Sequence, residues 1–236
     1  MAILMSIALA SFVQGSVGFG YGIIATGLLA IFIDVRAASV VMVLGGLAQN
    51  VTIFASLRQH FSWRNVTGLI VSAAVGVPFG VSFLVLTDAK WVLFTLGCLL
   101  ITSVLRPKAT KVGSRPLPPL LGLPAGFLSG LLHGALGAGA PLAVLYARRQ
   151  AIPRLRYVAT LQVLLGVSTL VRAIFLGNSG LFSRDLTAIS IVSVLFAMVG
   201  ARIGVSVSGV VSSKALERAT NVLLLILGVR YVLSIF

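Results

Sequence analysis

Apolar residues fill this chain in long stretches separated by brief polar ones, and the stretch lengths predict its elements. Residues 37–57, 66–86, 157–176, 186–206 and 215–235 are each apolar over about 20 positions, enough for a helix to cross a hydrocarbon core of about 30 Å. Residues 91–105 form a shorter span of the same kind. The runs are continuous and do not alternate, which excludes a membrane β-barrel. Two further apolar segments, 2–33 and 120–147, are split by glycines. Each arm holds about 12–13 residues, roughly 18–20 Å of helix, which is too short to span alone. Each split segment is therefore either one broken span or a re-entrant hairpin that dips in and returns.

The two splits carry one motif. Gln14-Gly15-Ser16-Val17-Gly18-Phe19-Gly20-Tyr21-Gly22 matches His133-Gly134-Ala135-Leu136-Gly137-Ala138-Gly139-Ala140-Pro141 at a shift of 119 residues, laying Gly15, Gly18 and Gly20 on Gly134, Gly137 and Gly139. Gly76, Gly80 and Lys90 fall on Gly200, Gly204 and Lys214 at a shift of 124. The chain therefore reads as a duplication. Residues 1–105 form the first repeat and 120–236 the second. The linker 106–119 holds four basic residues, four prolines and no acid. Gly76, Gly80, Gly200 and Gly204 have the small-xxx-small spacing that lets helices approach closely, and they read as packing residues.

Composition sharpens the class. The chain is 58% hydrophobic and 9% charged, with mean hydropathy +1.12, whereas soluble domains carry about 25% charged residues. It reads as an all-α polytopic membrane protein. The net charge of +14 lies at span ends and not on one face, so it suggests positive-inside loops and no nucleic acid. If the split segments are hairpins, each half has three full spans and the repeats are inverted. Arg58 and Arg64, then Arg106, Lys108, Lys111 and Arg115, then Arg148, Arg149, Arg154 and Arg156, then Arg202, Lys214 and Arg218 share one side in that case. They are 13 of the 18 basic residues. Single crossings would put the two four-charge loops on opposite sides. The expected fold is two inverted repeats, each a re-entrant broken-helix hairpin plus three transmembrane helices, with a cytoplasmic linker. Cys98 stands alone in an apolar run and reads as packing. Residues 1–11 resemble a signal-peptide core but lack a basic start, and read as part of the mature protein.

Paired broken helices in inverted repeats point to a transporter with substrate near the midplane. The second arms begin near Tyr21 and Pro141, where free amides and the positive helix end favour an anion. The expected site comprises Gln14, Gly15, Ser16, Gly18, Gly20, Tyr21, Gln49, Asn50, His133, Gly134, Gly137, Gly139, Pro141, Gln162 and Arg172, with Ser129 near it. Polar groups at this depth face a cavity or the bundle interior. His133 is a donor to the anion, a proton carrier, or a satisfied histidine. Arg172 is either a substrate cation or, about one turn from the outer end of its span, a snorkelling side chain. Backbone amides, rather than a buried cation, are expected to hold the anion. The acids are Asp34, Asp88, Asp185 and Glu217, all near span ends, so no buried carboxylate is available for ion coupling. Neither a metal-ligand cluster nor a nucleophile–base spacing points to an enzyme or a cofactor. The runner-up readings are a membrane scaffold that recruits a partner through basic loops, and an anion channel.

The glycine motifs Gly15-x-x-Gly18-x-Gly20-x-Gly22 and Gly130-x-x-x-Gly134-x-x-Gly137-x-Gly139-x-Pro141, each opening a half of the chain, resemble the TauE/SafE sulfite exporter family. That resemblance covers essentially the whole chain. It implies a multi-pass permease of the bacterial inner membrane, moving sulfite, sulfonates or related organosulfur anions. The implied partners are a small anionic substrate and the lipid bilayer, with a homodimer as an option.

Overall fold

The computed structural model describes residues 1–63, 66–105, 118–150, 153–208 and 213–234. Most of the expected linker, 106–117, lies outside the described residues, as does the end of the last expected span. The described residues form ten α-helices and no strand. In chain order they are α1 (Ala2–Val17), α2 (Tyr21–Leu29), α3 (Val35–Leu57), α4 (Thr67–Leu86), α5 (Ala89–Leu105), α6 (Gly122–Leu136), α7 (Ala140–Arg149), α8 (Arg154–Gly177), α9 (Arg184–Val207) and α10 (Ser213–Leu233). The six unbroken stretches begin and end within three residues of their expected bounds.

Four helices are long and apolar enough to cross a membrane: α3 continued to His60, α4, α8 and α9. The shorter α1, α5 and α6 are also apolar. Their outer faces suit lipid. Val71, Val75 and Phe79 on α4, and Ile191, Leu195, Val199 and Ile203 on α9, form exposed stripes at helical spacing. Such stripes would be a liability in water.

The split segments break later than expected. Instead of equal arms, α1 has 16 residues and α2 nine, while α6 has 15 and α7 ten. Gly15, Ser16 and Gly134 stay helical because they pack against neighbouring helices. The chain turns only where glycine reaches positive φ, at Gly18 (97°), Gly20 (120°) and Gly137 (68°), a region open to glycine at no steric cost.

Both segments fold back on themselves. Gly122, at the start of α6, lies against the Tyr146 phenol near the end of α7. Along one straight helix those residues would stand about 36 Å apart. The Ser129 hydroxyl donates to the Gly139 carbonyl at 2.6 Å across the same turn. At the first break, the Tyr21 amide donates back to Gln14 Oε1 at 3.0 Å. Pro141 sits in the first turn of α7, one position later than expected, where its missing N–H still lacks no helical partner.

The most extensive helix contacts join α4 to α6 and α1 to α9. Gly76 and Gly80 of α4 rest on the Phe127 and Leu131 carbonyls of α6. Gly200 and Gly204 of α9 rest on the Ala8 and Phe12 carbonyls of α1. Phe127 and Leu131 are Ala8 and Phe12 shifted by 119 residues, so the two crossings repeat each other contact for contact. Backbones this close have no room for a Cβ, and the four glycines are packing residues as the spacing suggested. Each half thus lends its first helix to the fourth helix of the other.

Candidate functional site: a cavity between the two breaks

The breaks meet. Gly22, in the first turn of α2, lies directly on the Gly137 carbonyl at the end of α6, and Thr26 Oγ1 donates to the Leu136 carbonyl at 2.7 Å. Beside this contact is a small cavity. Its lining comes from Gln14 of α1, Gly20 to Ile23 at the start of α2, and Met42, Val43, Gly46, Gln49 and Asn50 of α3. His133, Gly137 and Ala138 line it from the end of α6, Ala140 from α7, and Leu165, Thr169 and Arg172 from α8. Gly46 is the midpoint of α3, so the cavity lies about halfway along that helix. The volume open to the centre of a water-sized sphere is about 20 Å³, room for about one water and too little for a sulfur oxyanion.

Arg172 is the largest fully buried side chain, 1% exposed. Its Nε donates to the Gly134 carbonyl at 3.1 Å and its Nη2 to Ser39 Oγ at 3.0 Å. Nη1 lies over Gly137, where an added Cβ would stand 2.7 Å away. Snorkelling is overturned. Helical side chains lean toward the helix N-terminus, and from a position near the C-terminal end of α8 that lean carries the guanidinium toward the middle of the helix. Two of the five guanidinium N–H groups are used on fixed oxygens, leaving the rest for the cavity side. Asp34, Asp88 and Asp185 are exposed at helix starts, and among the described residues no carboxylate reaches Arg172. An unpaired buried charge costs several kcal/mol; part is offset because Gly134 O is one of the free carbonyls at the negative end of α6.

A chain of amide bonds runs beside the guanidinium. Gln14 Nε2 donates to Asn50 Oδ1 at 2.7 Å and to Gln162 Oε1 at 3.1 Å. Gln162 Nε2 donates to the Gly18 carbonyl at 2.8 Å, satisfying the end of α1 from outside the cavity. Asn50 Oδ1 also accepts from Gln49 Nε2 at 3.4 Å, and Asn50 Nδ2 reaches Thr169 Oγ1 at 3.5 Å. His133 Nε2 meets the same Thr169 hydroxyl at 3.0 Å. Thr169 gives its own hydrogen to the Leu165 carbonyl at 2.7 Å, so it accepts from His133 Nε2–H, and in the neutral ring Nδ1 is then an acceptor. His133 Nδ1 and Gln49 Oε1 are buried with no partner. Tyr21 closes one wall, its phenol donating to the Met42 carbonyl at 2.8 Å while its ring lies on Gly45 and Gly46.

Of the expected residues, Gln14, Gly20, Tyr21, Gln49, Asn50, His133, Gly137 and Arg172 meet at the cavity. Gly15 and Gly134 instead lie in the helix crossings, and Ser16 bonds the Gly204 carbonyl of α9 at 3.2 Å. Gly18 turns against Val158, and Gly139 packs on Ser129 and His133. The Tyr21 amide is taken by Gln14 and is not open to an anion. Thr169 and Ser39 were missed. The signal for Thr169 was present: the 119-residue shift that lays Gln14 on His133 also lays Asn50 on Thr169. The two bonds, Gln14–Asn50 and His133–Thr169, are equivalents. No three metal-ligating side chains come together among the described residues.

Ten α-helices among the described residues, exposed apolar stripes and two broken-helix hairpins meeting at a buried polar cavity suit a multi-pass membrane transport protein. The chain belongs to the sulfite exporter TauE/SafE family, whose model matches residues 3–231. That family consists of transporters of sulfur anions and not of enzymes. No curated protein and no solved structure matches the chain.

Proposed function

We propose that the protein is a carrier for a small sulfur-containing anion such as sulfite or an organosulfonate. Its site lies near the bilayer midplane and opens alternately to either side. The observation that carries this reading is Arg172, buried without a carboxylate beside a cavity where two helix N-termini begin. The amides of Gly22 and Ile23 at α2, and those opening α7, have no helical acceptor and suit sulfonate oxygens. Arg172 supplies the full charge, so the anion is held by amides and guanidinium together. The duplicated crossings and the basic loops favour inverted repeats with a cytoplasmic linker, in a bacterial inner membrane. At its present size the cavity represents a closed state, and loading requires the hairpins to separate.

Flux into liposomes tests the proposal. Saturable transport is expected for at least one of sulfite, sulfoacetate, taurine or a small carboxylate, and no flux across the panel removes the reading. Flux that never saturates would instead mark an anion channel.

A further inference from the structure

Four helix ends surround the cavity: the last turns of α1 and α6 at Gln14 and His133, and the first turns of α2 and α7 at Tyr21 and Ala140. A helix end carries about half an elementary charge, positive at the N-terminus and negative at the C-terminus. Two of each sign cancel. The titratable or charged side chains lining the cavity are Tyr21 from α2, His133 from α6 and Arg172 from α8, while α1, α3 and α7 contribute uncharged groups only. Tyr21 donates its phenol hydrogen to Met42 O and is neutral. A second unpaired cation beside Arg172 would add to the burial penalty, which leaves His133 as the neutral Nε2–H imidazole. The balance is a single positive charge on Arg172.

Two unpartnered acceptors, His133 Nδ1 and Gln49 Oε1, are buried beside that charge. Their lone pairs repel the oxygens of a fully deprotonated dianion, but they accept an O–H hydrogen. A second negative charge would enter a desolvated site with nothing to neutralise it. We propose that the site is matched to a monoanion: sulfite crosses as hydrogensulfite and organosulfonates as their single-charge form, while sulfate and the sulfite dianion are rejected. The proposal rests on the transport reading above and fixes the charge state of its substrate.

The test uses the full chain in proteoliposomes with three probes. Methanesulfonate has one negative charge and sulfate two throughout the neutral range, and sulfite loses its second proton near neutrality. Methanesulfonate flux is expected to stay flat with pH, which also checks that titration of His133 is not the cause of any change. Sulfate is expected to move at least about 100-fold more slowly, as an unneutralised like charge dictates. The KM for total sulfite is expected to rise about tenfold per pH unit above neutrality and to stay constant when expressed as hydrogensulfite. Arg172→Lys should keep the preference for one charge over two, and Arg172→Gln, checked as a single folded species by size exclusion, should lose most methanesulfonate flux without gaining sulfate flux. Sulfate flux comparable with methanesulfonate, sulfite flux that follows the dianion, or methanesulfonate flux unchanged in Arg172→Gln would overturn the proposal while leaving transport intact. Absence of flux for all three probes would remove the charge match, and absence for sulfoacetate, taurine and the small carboxylate as well would remove the transport reading with it.

Discussion

Gln14 and His133 stand at the same register of two broken segments, and each gives an Nε2 hydrogen to a polar side chain on a neighbouring long helix. A glutamine amide can therefore take over the histidine's bond. In His133→Gln, stability in detergent is expected to change by less than about 1 kcal/mol, whereas His133→Leu should cost about 1–3 kcal/mol by removing the histidine donor to the buried Thr169 hydroxyl. Thermal unfolding of the purified variants separates the two outcomes. Truncating the guanidinium is the severer change for function. Arg172→Ala should lower kcat/KM for the transported anion by about 100-fold or more, since a desolvated charge contact is worth about 2–5 kcal/mol. Liposome flux that survives this substitution would place the anion elsewhere. Sequence reasoning reached Gln14, Asn50 and His133 because amides and imidazoles are rare inside apolar runs. Thr169 escaped it because threonine is common there, bonding its own helix as it does to Leu165. The burial of Arg172 was undecided in the sequence, since inward lean and outward snorkelling start from the same position.

Among the elements, the crossings of α1 with α9 and α4 with α6 set how near the two breaks come. Gly80 faces the Leu131 carbonyl and Gly204 the Phe12 carbonyl. Alanine at either position should cost about 1–3 kcal/mol by pushing backbones apart. Gly177, with nothing within 4 Å of its would-be Cβ at the end of α8, makes the control: Gly177→Ala should be neutral or stabilising by up to about 1 kcal/mol. Equal melting temperatures for all three variants would show that the crossings do not limit stability. Helix bounds were legible because run length against bilayer thickness is a strong constraint. The uneven arms were not, since a glycine such as Gly15 breaks a helix in isolation yet continues one when a neighbouring backbone covers it. The fold-back itself was open in the sequence, and only contacts such as Gly122 with Tyr146 decide it.

At the scale of the molecule, the halves interleave. A chain divided within 106–117 is expected to give no transport from either fragment alone, because each would expose the glycine face its partner covers. Co-expression of the two fragments should restore flux, and an active single fragment would contradict the interleaving. The packing also constrains how the cavity could open. Helix α9 lies along α3 as well as α1, α4 lies along α8 as well as α6, and α3 in turn lies along α8, so neither half of the chain forms a packing unit of its own, and widening the space between the breaks has to part helices drawn from both.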